Sequence, residues 1–144
     1  MEVDKYFATG YNGSRKFSPL NVKSTNATGF TSPTDDYMDR GIDLNEQLVK
    51  NKPATFFMRI KSDSMKNAGI FNGDVVIVDR SLNAVPGKIV IAVLDGEMII
   101  RRYDKLNNRV RLSPECSDLS ALEIDPGCDS FSIWGVVTYV IHHV

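Results

Sequence analysis

From Ala54 onward, short apolar runs rich in Val, Ile and Phe alternate with clusters of Gly, Asn, Asp and Pro, and this rhythm confines the chain to a mainly β fold. The runs are too short for ordinary helices, and their β-branched residues suit a pleated surface. The pattern predicts strands near residues 54–60, 73–79, 87–94, 97–103, 109–113 and 130–142, with a weaker one near 120–124. Asp95-Gly96 lies between two apolar runs and predicts a two-residue hairpin turn; Asn107-Asn108 predicts a second. The last run, Ser130 to Val144, is long and carries Phe131, Trp134 and Tyr139. It is expected to cross the core and to leave an edge or face for a second subunit.

Upstream the pattern changes. Asp43-Leu44-Asn45-Glu46 has the form of a helix start, with Asp43 as cap, Glu46 three residues on, and Leu44 and Leu48 on one face. This helix should end near Asn51, because Pro53 restricts the residue before it. Ser32-Pro33-Thr34-Asp35 repeats the form, with Ser32 as cap and Pro33 at the first helical position. Residues 1–28 are dominated by Asn, Ser, Thr and Gly, show neither helical nor alternating periodicity, and carry scattered aromatics at Tyr6, Phe7, Tyr11 and Phe17. They read as a flexible arm, and residues 29–144 as one domain with no internal repeat.

Several function classes are excluded by composition. A net charge of −1 over 144 residues gives no basic surface for nucleic acid. No apolar run is long enough to span a bilayer, and no charged-then-apolar start resembles a signal peptide, so a cytoplasmic protein without membrane contact is expected. Cys116 and Cys128 are too few and too far apart for a metal site, and read as two free thiols in a reducing compartment. His142-His143 read as a strand end. No metal or cofactor is expected.

One polar stretch interrupts the strands. Lys61-Ser62-Asp63-Ser64-Met65-Lys66-Asn67-Ala68-Gly69-Ile70 follows the run Phe56–Ile60 and leads through Asn72-Gly73 into Val75-Val76-Ile77-Val78-Asp79. The small residues put Ser64 at the mouth of a very short helix that Gly69 can close with a left-handed cap. A serine there, beside free backbone N–H groups, has the placing of a nucleophile with an oxyanion site, although Ser-Asp-Ser is also a common turn. Asp63 and Asp74 read as turn and cap residues, and Met58, Met65 and Trp134 as core or cleft lining.

The run Ser62-Asp63-Ser64-Met65, Ala68-Gly69-Ile70, Asn72-Gly73-Asp74 and Ile77-Val78-Asp79 resembles the nucleophile segment of the LexA/UmuD self-cleaving serine peptidases. The likeness extends upstream to Gly29–Tyr37 and Ile42-Asp43-Leu44-Asn45, and downstream to Asp95-Gly96-Glu97 and Trp134-Gly135-Val136-Val137. It covers residues 29–144 and is stronger toward the UmuD branch than toward LexA. The resemblance implies a LexA/signal-peptidase-like β-clip of twisted antiparallel strands with two or three short helices. It also implies that Ser64 attacks the chain's own backbone, at Thr28–Gly29.

In such proteins a neutral lysine takes the serine's proton, and it lies on the second strand of the hairpin just past Asp-Gly-Glu. Here Asp95-Gly96-Glu97-Met98-Ile99-Ile100-Arg101-Arg102-Tyr103 puts Arg101 at that position. A guanidinium stays protonated and cannot accept a proton, so it is no substitute. Arg102 has the same defect and should point to the other side. Lys105 shares the parity of Arg101 but lies about 13 Å along an extended strand, beyond the reach of a general base. Arg101 is expected either beside Ser64, hydrogen-bonded to its hydroxyl, or as a surface cation. Thr28, where the family usually has a smaller residue, adds a stiff β-branched side chain before Gly29.

Two readings of function follow, with a third behind them. The resemblance implies a homodimeric accessory protein of the SOS response that serves a Y-family translesion DNA polymerase and responds to a RecA-type recombinase filament. Its self-cleavage would be impaired, and no direct DNA binding is expected. The alternative is an active self-cleaving peptidase in which lysine was altered to Arg101. A fragment of a phage-type repressor is third; residues 1–28 are too short for a helix-turn-helix domain.

Overall fold

The computed structural model describes residues 2–10 and 41–144, and of residues 4–10 the backbone only. The predicted cap at Ser32 and the Thr28–Gly29 bond lie outside those residues. Eight strands form one antiparallel sheet: β1 (Val3–Gly10), β2 (Thr55–Ile60), β3 (Val75–Asp79), β4 (Ile89–Leu94), β5 (Glu97–Leu106), β6 (Arg109–Ser113), β7 (Leu122–Ile124) and β8 (Phe131–Ile141). Their order across the sheet is β1-β2-β3-β8-β4-β5-β6-β7. The mainly β expectation holds, and the seven predicted strands are present within a few residues of their expected bounds.

Both hairpin turns form where they were read. Asp95 (φ 52°) and Gly96 (φ 83°) join Leu94 to its partner Glu97, and Asn107 (φ 51°) and Asn108 (φ 64°) join Leu106 to Arg109. Positive φ at both central positions matches the right-handed twist of the flanking strands, which is why Asp, Asn and Gly stand there. The second hairpin carries β5 three residues beyond its predicted end.

The core lies on both faces of the β4–β5 hairpin. Ile91, Met98 and Ile100 pack with Met58, Ile60, Met65, Ile70, Val76 and Val78. Their alternates Val90, Ala92, Ile99 and Tyr103 pack with Leu112, Ile124 and Val136. Burial on both faces explains why β4 reads as an unbroken apolar run. Met58 and Met65 are core residues as expected, and Trp134 packs at the edge of the first cluster.

β8 holds the two halves of the sheet together. Residues 131–136 pair with β4 and residues 136–141 with β3. The strand crosses the core, and its far end keeps one side free of β4, with Tyr139, Val140 and Ile141 exposed. At Gly135 an added Cβ would stand 2.5 Å from Val78 Cγ1, so the glycine permits the close approach of β8 to β3.

Three local readings need revision. Helix α1 (Leu44–Leu48) starts on the predicted cap, since Asp43 Oδ1 accepts from the Asn45 amide at 3.0 Å, but it is only five residues long. It stops before Asn51 because Pro53 belongs to a separate turn of 3-10 helix, Lys52–Ala54. Leu44 is exposed, so the predicted apolar face is not buried there. The largest difference is β1. Val3–Gly10 forms an edge strand on β2 with an irregular register between Asp4 and Thr9, although its sequence has no alternation. Val3 is fully buried in the first cluster.

Candidate active site

The serine loop is fixed from three sides before any chemistry is considered. Met65 and Ile70 plug into the first core cluster. Lys66–Ala68 form a single turn of 3-10 helix closed by Gly69 in the left-handed conformation, φ 87°, which is the cap read from the sequence. The segment after β6 grips the loop's backbone: the Glu115 amide donates to the Ser64 carbonyl and the Asn67 amide to the Glu115 carbonyl, both at 2.8 Å. Arg102 ties Glu115 to β5 through a 2.6 Å ion pair and donates from Nη1 to the Gly87 carbonyl at 2.7 Å.

Asp63 and Asp74 are turn residues, as read. Asp63 Oδ1 accepts from the Asn72 amide at 3.3 Å. Asp74 Oδ2 accepts from the Phe71 amide at 2.8 Å, across a turn whose Gly73 has φ 97°. Asp74 is buried, and its other oxygen meets His142 Nδ1 at 2.6 Å, which pins the strand end to this turn.

Ser64 is buried at the inner end of the loop. Its Oγ lies 3.0 Å from Ser62 Oγ and 3.5 Å from Oε2 of Glu2. The oxyanion expectation is narrowed, because the Lys66 and Asn67 amides are already spent on Asp63 and Glu115 carbonyls. The Ser64 amide makes only a 3.5 Å contact with Ser62 Oγ.

Arg101 lies in the same pocket. It is buried, which disposes of the surface-cation reading. Its Nη1 donates to Glu2 Oε2 at 2.5 Å and to the Ile100 carbonyl at 2.7 Å, while Nε is buried without a partner. The expected direct bond to the serine hydroxyl is absent. Glu2 stands between them, one oxygen accepting from Arg101, from the Ile100 amide at 3.2 Å and from Ser64. Ser64 Oγ and the guanidinium are therefore no farther apart than those two contacts laid end to end.

Sequence reasoning missed Glu2. It lies 62 positions from Ser64 and 99 from Arg101, and no local pattern connects them. Its place is set by β1, whose start is fixed by buried Val3 and by the Lys61 amide donating to the Glu2 carbonyl at 2.7 Å. Ser62 was within sight, two residues before Ser64, but was read only as part of the motif.

Chemically, the pocket offers a hydroxyl, a second hydroxyl, a carboxylate and a fixed positive charge. Neither cation on this part of β5 can accept the Ser64 proton. Lys105 is exposed near the far end of β5. Ser62 Oγ and Glu2 Oε2 are the acceptors within reach, and Glu2 Oε2 already takes two shorter bonds from other donors. Among the described residues there is no cluster of His, Cys, Asp and Glu able to hold a metal ion, and Cys116 and Cys128 are unbridged. No helix there is long and apolar enough to cross a membrane.

Comparison with known proteins gives consistent matches over most of the chain. Residues 21–138 match the family described as Peptidase S24-like. Protein MucA of Salmonella typhimurium is 39% identical over 145 residues, covering 99% of this chain and 97% of MucA. Protein ImpA of Shigella flexneri is 40% identical over 114 residues, covering 79% of this chain and 77% of ImpA. The LexA repressor of a Shewanella species is 38% identical over 90 residues, covering 62% of this chain but 44% of the repressor.

Proposed function

The chain belongs to the Peptidase S24-like family, and on that premise we propose that it is a UmuD-like accessory protein of the SOS response whose own peptidase chemistry is impaired. One observation carries the second half of the proposal: the cation buried in the pocket of Ser64 is a guanidinium. Serine needs a base to become a nucleophile at neutral pH, and a lysine could serve after losing its proton to desolvation. Arginine cannot. Loss of one member of such a unit typically costs about 10⁴- to 10⁶-fold in rate. Ser64 is in this reading a nucleophile without a base, and Arg101 stands where the family's lysine would be.

The near full-length match to MucA supports the accessory role over the repressor reading, since the LexA match covers under half of that protein. In this role the protein is a homodimer. It associates with a Y-family translesion polymerase, and residues 1–28 form an arm whose attachment to or removal from the 29–144 domain selects among partners. The exposed end of β8 suits a subunit contact.

Incubation of the unaltered protein with a recombinase filament on single-stranded DNA and ATP tests the impaired chemistry. No fragment starting at Gly29 should accumulate, and one that also vanishes with Ser64→Ala would overturn it. Size-exclusion chromatography tests the dimer: a strict monomer at micromolar concentration would remove the proposed assembly.

A further inference from the structure

The same pocket has a second property that does not depend on whether Ser64 ever acts as a nucleophile. Three donors converge on one oxygen of Glu2: the Arg101 guanidinium, the Ile100 amide and the Ser64 hydroxyl. The Ile100 amide is available because β6 covers β5 only from Arg102 onward, which leaves residues 97–101 open on that side. Arg101 itself is buried, with its Nε still unpartnered. A buried guanidinium, a strand amide and a hydroxyl aimed at one point are the parts of a carboxylate-binding site.

We infer that this pocket is a carboxylate receptor whose occupant is Glu2, and that it latches strand β1 across the serine. Two anchors then act together at the head of β1: the buried Val3 side chain and the charged Glu2 contact. The remainder of the strand is an outer edge on β2 whose register breaks between Asp4 and Thr9. While the latch is shut, Glu2 lies between the serine hydroxyl and Arg101. The ligand class is a carboxylate at the head of an extended segment, and the segment is residues 2–10 of this chain.

Amide hydrogen exchange on the full chain tests this. With Glu2→Gln, which keeps the size and one accepting oxygen but removes the charge, the amides of residues 3–10 should exchange about tenfold faster or more, the effect of losing one charge-assisted bond. The amides of β3 and β8 should keep their rates, which separates an opened latch from general unfolding. In the Glu2→Ala chain, acetate at millimolar concentration should refill the site and shift the Ile100 amide resonance, whereas the unaltered chain should not respond. Unchanged exchange in residues 3–10 with Glu2→Gln would overturn the latch. An Ile100 amide indifferent to acetate in the Glu2→Ala chain would overturn the receptor.

Discussion

The Glu2–Arg101 pair should behave asymmetrically when its members are removed one at a time. The Arg101 side chain is 7% exposed and that of Glu2 is 19% exposed. Glu2→Ala leaves a guanidinium inside the protein with one carbonyl acceptor, that of Ile100. Removing one partner of a buried pair costs about 3–5 kcal/mol. Because β1 is an edge strand that can lift and admit water, about 2–3 kcal/mol is the expected loss. Arg101→Met is a different perturbation: it removes the buried charge and the orphaned Nε while filling the space, and the freed carboxylate can turn to solvent. Its expected cost is under about 1 kcal/mol. The double variant should then resemble Arg101→Met alone, giving a coupling of about 2 kcal/mol. Urea unfolding of the four proteins, with the slopes compared to confirm an unchanged transition, measures each term. Additive losses in the double variant, or a loss above about 3 kcal/mol for Arg101→Met, would mean that the pair is not coupled through a buried charge.

Two other substitutions probe the frame around the site. Gly135→Ala should cost about 1–3 kcal/mol, because its Cβ would press on Val78 Cγ1 and lie 3.4 Å from the Asp79 carbonyl, and Val78→Ala in the same chain should recover part of the loss; thermal unfolding reads both, and a neutral Gly135→Ala would mean that β8 and β3 are not so close. Asp74→Ala should cost about 1–2 kcal/mol by removing the acceptor of the Phe71 amide and the partner of the half-exposed His142 ring, with faster exchange at Phe71 as its local sign; an unchanged Phe71 amide would show that the turn is held by other contacts.

How far the sequence could be read depended on whether the cause of a feature was local. Asp95-Gly96 and Asn107-Asn108 turned the chain where they should because positive φ is a property of those residues in that place. Gly69 capped its turn for the same reason, and Asp43 capped its helix through an equally local bond, its side chain accepting from the Asn45 amide. The placement of β8 between β3 and β4 was hidden, since its two half-ladders pair residues 37 to 66 positions apart and no spacing along the chain reports that. β1 was hidden for a related reason: its strand conformation comes from the free edge of β2 and not from its own composition. At the site, Ser64 was visible through its motif and Arg101 through its offset from the hairpin turn. Glu2, which joins them, carried no signal, because its role arises only when β1 docks.

The cation buried beside Ser64 cannot shed its charge and take the serine's proton, as a lysine could, and the impaired chemistry follows from that. Rates of appearance of a fragment beginning Gly-Phe-Thr-Ser-Pro, followed by N-terminal sequencing in the presence of recombinase filaments, test this in three chains and a Ser64→Ala control. Arg101→Lys supplies an amine able to deprotonate, but one whose charged form the Glu2 carboxylate favours. Adding Glu2→Gln removes that restraint. No fragment is expected from the unaltered chain, a slow rate from Arg101→Lys, and the fastest rate from Arg101→Lys with Glu2→Gln, abolished by Ser64→Ala. A fragment released by the unaltered chain as fast as by either lysine variant would contradict it.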